Sequence, residues 1–325
     1  MPERFTRVAM LTAATIIFGL SGAGALGQNF PTRPVRFIVP FVPGGGLDIT
    51  ARAIAPKLSE ALGKPVVVDN RPGAGGVIGL GLAARATPDG HTMVIASASH
   101  VVQGILAKAD FDFFRDLAPV TEIVSSPYLL VTAPGFPPRS VKELIAHAKA
   151  NPGKLNYASS GTGTLQQLSM ELFKHTVGIQ VLGVPYKGVG PSLIDLTAGR
   201  VQMMMSSLAS LAPHVRAKTI IALAIASRER SPILPELQTM AEAGVPGFIV
   251  EQWQGALVPS GTPRAMVERL QRDIARTLQV PEVATFFAND GARTVGSSPQ
   301  QFRAKLDLER ATWAKIIKQA GIKAE

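Results

Sequence analysis

The sequence predicts an α/β protein built as two lobes, and three observations carry that expectation. Short β-prone runs alternate with segments of helical period, the pattern of parallel sheets with connecting helices. Ten such runs can be read along the chain, enough for two five-stranded sheets. The 325 residues are 46% hydrophobic and 17% charged, so there is room for two lobes and enough apolar material for a sizeable core. No Pro/Gly/Ser-rich linker divides the chain, which favours lobes joined by crossing strands over two tethered beads.

The first segment reads as a targeting signal. Arg4 and Arg7 give a positive start, and Val8 to Leu20 is uncharged and mostly apolar. Ala23-Gly24-Ala25 and Ala25-Leu26-Gly27 both fit a cleavage site. The run is short and rich in Gly and Ala for a membrane span, so residues 1–27 are read as a cleaved signal peptide and the product as secreted. No later segment has the length and apolarity of a transmembrane helix.

The candidate strands follow at Arg36–Phe41, Pro65–Asn70, Thr92–Ser97, Val120–Val124, Tyr128–Thr132, Leu155–Ser159, Gln180–Pro185, Gln202–Ser206, Ile220–Ala226 and Gln254–Val258. Helices fall between them. Ala51, Ile54, Ala55, Leu58 and Leu62 share one face, and Gly63 ends that run. Ser140 with Glu143 forms a capping box ahead of Leu144, Ile145 and Ala148, with Pro152-Gly153 as the stop. Leu165, Leu168 and Leu172 repeat at helical spacing before Gly178. Thr262-Pro263 opens a helix striped by Met266, Val267, Leu270, Ile274 and Leu278. A last amphipathic helix runs from about Pro299 to Ala320 with Phe302, Leu306, Trp313, Ile316 and Ile317 inward.

There are no cysteines, which removes disulfides, thiolate metal sites, thiol nucleophiles and a lipid-modified N-terminus, and suits an oxidising compartment. The formal charge is +10; without Arg4, Arg7 and Glu3, 31 basic and 22 acidic residues leave +9. A field that steers anions and a merely basic surface both fit that charge. Nucleic acid is not expected as a partner, because Lys and Arg are scattered and not interleaved with aromatics. The sequence has no G-x-S-x-G elbow, Walker A loop, H-E-x-x-H or EF-hand pattern. The histidines, His91, His100, His147, His175 and His214, have no ligand-like spacing. His100 is placed near the cleft and the others at surfaces or helix ends. Gly79-Leu80-Gly81 with Ala84 falls inside a predicted helix and is not a dinucleotide turn. Met203, Met204 and Met205 read as core.

In an open parallel sheet, ligands bind beyond the carboxyl ends of the strands. The residues there are Val42-Pro43-Gly44-Gly45-Gly46-Leu47-Asp48, then Asn70-Arg71-Pro72-Gly73-Ala74-Gly75-Gly76, then Ser97-Ala98-Ser99-His100. Further on come Ser159-Ser160-Gly161-Thr162-Gly163-Thr164, Tyr186-Lys187-Gly188 and Ser206-Ser207. Glycines let backbone N–H groups face a ligand, and helix N-termini favour negative charge. The candidate binding set is therefore Val42 to Asp48, Arg71, Gly75, Ser97, Ser99, Ser159 to Thr164, Lys187 and Ser206. Asp48 serves either as a ligand contact or as the cap of the first helix. Arg71 and Lys187 are candidate supplementary charges. No catalytic residue, metal ligand or cofactor is expected.

These turns, in this order, resemble the substrate-binding (Bug-type) component of tripartite tricarboxylate transporters, a type II periplasmic solute-binding protein. The matching stretches include Pro40-Phe41-Val42-Pro43-Gly44-Gly45-Gly46-Leu47-Asp48, Val68-Asp69-Asn70-Arg71-Pro72-Gly73-Ala74-Gly75-Gly76 and Pro88-Asp89-Gly90. They continue with Tyr157-Ala158-Ser159-Ser160-Gly161-Thr162-Gly163-Thr164, Val184-Pro185-Tyr186-Lys187-Gly188, Glu242-Ala243-Gly244 and Pro259-Ser260-Gly261-Thr262-Pro263. The resemblance spans essentially the whole chain after the signal. It implies a two-lobed (Venus-flytrap) fold of two five-stranded mixed sheets joined by two crossing strands, near Val124–Tyr128 and Ile249–Trp253. One lobe would comprise residues 28–124 and 250–325, the other 125–249. It implies a monomeric, non-enzymatic periplasmic receptor that holds a small organic carboxylate at Val42–Asp48 and Ser159–Thr164 and hands it to integral permease subunits. A sensor role towards a kinase is the alternative, and a periplasmic enzyme a more distant one. Two departures stand out. Gln167 occupies a place where the family often has His, and Met205-Ser206 stands where Phe-Asp is common. Without that acid, a ligand lacking an amine is expected.

Overall fold

A computed structural model describes residues 30–106 and 109–322; the signal segment lies outside the described residues. The first lobe opens with β1 (Val35–Val39), α1 (Gly46–Leu62), β2 (Val66–Asn70), α2 (Val77–Ala84), β3 (Thr92–Ser97), α3 (Ala98–Leu106) and the single turn α4 (Phe113–Asp116). The chain then runs through β4 (Leu117–Thr132) into α5 (Val141–Ala150), β5 (Asn156–Ser159), α6 (Leu165–Val177), β6 (Leu182–Pro185), α7 (Val189–Thr197), β7 (Met203–Ser207), α8 (Leu208–Arg216) and β8 (Ile221–Ile225). It returns along β9 (Glu251–Pro259) to α9 (Arg264–Leu278), α10 (Pro281–Asn289), β10 (Arg293–Thr294) and α11 (Pro299–Ala320).

One sheet has the order β2-β1-β3-β9-β4, with β10 added to β4; the other has β6-β5-β7-β4, with β8 on β4. β1, β2 and β3 are mutually parallel, as are β5, β6 and β7; β9 runs against both β3 and β4, and β4 runs against β7. The fold is the two-lobed α/β architecture expected from the sequence, with the short β10 added to the first sheet. Val120–Val124 and Tyr128–Thr132 are not separate strands: β4 is a single strand of 16 residues shared by both sheets. Ser125-Ser126-Pro127 reads as a break in the sequence because proline lacks an N–H. Here β10 pairs no further than Ser125 and β7 begins opposite Tyr128. Pro127 thus falls where that edge of β4 has no partner to receive a donor. The return path is fastened at Val250, whose N–H donates to the Ala226 carbonyl (3.0 Å) and whose carbonyl accepts from Tyr128 N–H (2.9 Å).

Local chemistry explains most element ends. Gly63 closes α1 in the left-handed conformation, its N–H reaching the Ser59 carbonyl. The capping box at Ser140 is half made: Ser140 Oγ accepts from Glu143 N–H, but Glu143 turns back to the Arg139 N–H. A complete one forms instead at Ser298 and Gln301, starting α11. That helix buries Phe302, Leu306, Trp313, Ile316 and Ile317. The Phe302 ring meets Trp253 edge-on at 5.0 Å and fills the space a Gly255 side chain would take. Truncating such a ring costs about 3–5 kcal/mol.

The core has three parts. One lies between the first sheet and α1, α9 and α10, another between the second sheet and α7 and α8. The largest joins the lobes, packing Ile38, Val94 and Leu257 together with Tyr157, Phe173 and Met203. Met203, Met204 and Met205 are fully buried, as expected. His91 departs from its expected surface position: it is buried against Phe30 and hydrogen-bonded to Asp89 and Thr32.

Candidate functional site

The β1–α1 turn presents an uncapped helix. Its N-cap is Gly45, and no side chain satisfies the first-turn N–H groups. Asp48 is not the cap. It sits in the first turn of α1, and its carboxylate reaches back to Gly44 N–H (2.9 Å), sideways to Asn70 Nδ2 (2.9 Å) and forward to Arg52 Nε (2.9 Å). Burial pushes this carboxyl up, but those donors outweigh it and hold it at about 2. With its oxygens occupied, Asp48 shapes the turn and has little left for a ligand. Val42, Pro43, Gly44 and Gly46 are exposed and Gly45 is half-buried, while Leu47 is buried in the core beneath.

α3 connects the remaining parts of this wall. Ser97, at the end of β3, donates its N–H to His100 Nδ1 (2.9 Å). His100 is fully buried, and burial pushes it down to about 4, so it is neutral at physiological pH with its proton assigned to Nε2. That Nε2 has no hydrogen-bond partner. It lies under the second glycine turn, where Gly76 has φ +102° and a Cβ would come within 2.6 Å of it; only glycine meets both demands. Gln103, one turn along α3, approaches Gly75 in the same way and leaves its Oε1 buried and unpaired. Ser99 is half-buried at the start of the helix. Across the sheet, Gln254 of β9 pairs with Ser97 of β3. Its Nε2 lies 3.6 Å from where a Gly46 Cβ would be, and its Oε1 is buried without a partner.

The second lobe contributes the β5–α6 turn. Ser159 is buried, Ser160, Gly161, Gly163 and Thr164 are half-buried, and Thr162 is exposed. Part of this turn satisfies itself. Thr164 Oγ1 accepts from Gln167 N–H and donates to the Gly161 carbonyl, and Gln167 Oε1 accepts from Gly163 N–H (2.7 Å). The Gly163 amide is therefore not bare, contrary to the sequence expectation; Gln167, noted in the sequence as a departure from the family pattern, takes it. Gly161 and Thr162 keep N–H groups without a partner among the described residues. Gln166 donates Nε2 to Ser206 Oγ (2.6 Å) and leaves Oε1 buried and unpaired. Leu106, at the end of α3, lies 3.4 Å from a Cβ built on Gly163, so this turn abuts the helix that carries His100 and Gln103.

The structure thus gathers Gly45, Gly46, Gly75, Ser97 and Ser99 around α3 and the end of β9, and sets the Gly161–Gly163 turn against the same helix. It does not do so for the supplementary charges. Arg71 is exposed and paired with Asp69 at 3.0 Å, and Lys187 is exposed on the loop after β6. A cavity of about 600 Å³ lies elsewhere between the lobes, lined by Pro127, Ile233, Glu251, Ala288 and Arg293 among others, and no predicted binding residue borders it. Among the described residues no three His, Asp or Glu side chains converge as metal ligands, and no helix is long and apolar enough to cross a membrane. Sequence reasoning missed Gln103, Gln166 and Gln254. A glutamine in a helix or strand carries no motif, and only its buried, unsatisfied amide reveals it.

A profile of the tripartite tricarboxylate transporter family receptor matches residues 50–322. The chain belongs to that receptor family. It is 41% identical over 290 residues to a UPF0065 protein of the tcbD-tcbE intergenic region in a Pseudomonas species, covering 89% of this chain and 86% of that one. Among solved structures, an R. palustris protein with adipate superposes with TM-score 0.73 at 37% identity, covering 90% of this chain and 99% of its own. MatC from Rhodopseudomonas palustris, with bound malate, gives 0.70 at 31% identity, covering 89% and 100%. Family members are solute-binding receptors with the periplasmic binding-protein fold.

Proposed function

We propose that this receptor binds a small organic carboxylate between its lobes in the periplasm and passes it to an integral membrane permease, without chemical change. The observation that carries this reading is a set of donors without protein partners: the buried His100 Nε2–H, the first-turn N–H groups of the uncapped α1 and the Gly161 and Thr162 N–H groups of the β5–α6 turn; the buried Oε1 atoms of Gln103, Gln166 and Gln254 only accept and are open to a water or other donor. Native structures seldom leave such groups unsatisfied unless a ligand or water completes them. Hydrogen bonds to a charged group contribute about 1.5–3 kcal/mol each, so four or five offset the ordering costs of a micromolar complex near −8 kcal/mol. Relatives of the same fold with adipate and malate support a carboxylate. At the position where family members often carry an acid, Ser206 accepts from Gln166, which favours a ligand without an ammonium group.

A thermal-shift screen of organic acids followed by calorimetry tests the reading. A cognate acid raises the melting temperature and is recovered unaltered. Gly46→Leu, which fills the space beside Gln254 without needing an unusual backbone, abolishes the shift. Micromolar binding of aspartate or glutamate, or binding undisturbed by Gly46→Leu, counts against it.

A further inference from the structure

We infer that the cavity between the lobes at the crossing strands is a second binding site, separate from the glycine turns, and that it takes an organic anion with an apolar body.

The cavity holds about 600 Å³, a size that receives a small organic ligand. Pro127 of β4 and Glu251 of β9 border it where the chain crosses between the lobes. Arg228, Pro232 and Ile233 line it from the second lobe, and Ala284, Ala288 and Arg293 line it from the first. The lobes meet beside it: a Cβ on Gly291 would lie 3.1 Å from both Ile233 Cδ1 and Leu208 Cγ. Ala284 and Ala288, one turn apart on α10, are too small to fill the space. With Pro127, Pro232 and Ile233 they give the cavity apolar walls, which favour an apolar body over water.

The polar part of the lining has donors to spare. A guanidinium carries five N–H groups. Arg228 is exposed and makes no ion pair or side-chain hydrogen bond among the described residues. Arg293 spends one N–H on Glu251 at 3.3 Å, and Arg230 spends Nε on Glu242 and Nη1 on the Pro235 carbonyl. The acceptors are more fully committed. Glu251 gives Oε1 to Arg293 and Oε2 to Lys305 at 3.0 Å. That leaves Glu229, an exposed residue, as the one lining carboxylate without an ion pair among the described residues. An anion entering the cavity finds Arg228 on one lobe and Arg293 on the other. A carboxylate or sulfonate accepts two parallel N–H bonds from such a fork, while its apolar part lies against the alanine and proline walls.

Calorimetry with 2-naphthoate as the probe, and 2-naphthamide as its uncharged match, tests the site. The measurement is made on Gly46→Leu, so that the glycine turns do not contribute. The acid binds about tenfold tighter or more than the amide, the worth of charge-assisted hydrogen bonds. Adding Arg228→Gln, a change at an exposed side chain, brings the two affinities together. Adding Ala288→Leu, which fills one wall from an exposed helix position, removes binding of both. No binding of 2-naphthoate, equal affinities for acid and amide before either addition, or binding that survives both additions overturns the inference. Each of these outcomes leaves the carboxylate reading of the glycine turns standing, because that reading is tested with the glycine turns intact.

Discussion

At the scale of single residues, Asp48 shows how one buried carboxylate can brace an exposed glycine turn. Its oxygens hold Gly44, Asn70 and Arg52 at hydrogen-bond distance, and the shape of the β1–α1 turn depends on them. The carboxyl sits at about 2 in the folded protein against 3.8 without its partners. A depressed carboxyl stabilises the fold above its unfolded value, and that contribution is lost as pH falls through the folded value. Asp48→Asn is therefore expected to cost about 2 kcal/mol at neutral pH and to weaken ligand binding as the turn relaxes. Urea unfolding of both proteins at pH 7 and near pH 2 checks this: the gap should close in acid. A gap that persists there would assign the cost to packing and not to charge. The Asp48 role was only half legible in the sequence, where a first-turn acid looks the same whether it caps, contacts or braces. The sequence places His100 just after a strand end, and the structure has it there, fully buried under Gly76. Its tautomer was not legible, since that depends on the Ser97 N–H.

At the scale of elements, the sequence revealed strands with uniform β-prone runs and hid those with mixed signals. Thr92–Ser97 was read to the residue because it is flanked by Asp-Gly and by a polar turn. β4 was divided at Pro127, whose exemption depends on a gap between β10 and β7 that only the assembled sheets create. β10 is two residues long and has no pattern of its own. α11 was legible from its stripe, but its polar contacts were not. Lys305 joins Glu122 of β4 (2.8 Å) to Glu251 of β9 (3.0 Å), and Arg293 of β10 also reaches Glu251. Glu309 accepts from Trp253 Nε1 at 2.9 Å. Burial pushes Glu309 up to about 7, against the pull of Trp253 and Lys305; the side chain keeps a partly exposed edge, but packing around its carboxyl is dense. A raised carboxyl leaves the fold unpenalised below its unfolded value of 4.5 and costs stability as pH rises from there to about 7. Glu122, also raised by burial, acts in the same direction, and Glu251, lowered by Lys305 and Arg293 despite its burial, acts in the opposite one. Glu309→Gln should therefore be more stable than the parent by up to about 3 kcal/mol at pH 8 and no more stable near pH 4. Tryptophan fluorescence, from Trp253 and Trp313, followed during denaturation at the two pH values reads this, and an advantage independent of pH would rule out ionisation as the cause.

At the scale of the whole molecule, the lobes are not independent bodies on a hinge. One hydrophobic cluster contains Ile38 and Val94 from the first sheet and Tyr157, Phe173 and Met203 from the second. α11 and α3 pack against α6 across the division, and β4 belongs to both sheets. Opening one lobe exposes part of the core of the other, and apolar exposure costs roughly 25 cal/mol per Å², so partial unfolding is unfavourable compared with loss of the whole. Multi-lobed proteins often melt in steps. Here a single cooperative transition is expected, with calorimetric and van't Hoff enthalpies in agreement. A cognate acid bound at the proposed site, between the β1–α1 and β5–α6 turns, should move that one transition upward without splitting it. Phe302→Ala, which thins the shared cluster where α11 meets Trp253, should lower the transition and leave it single. Two resolved transitions in the unliganded protein would show that the cluster is divisible and that each lobe carries its own stability.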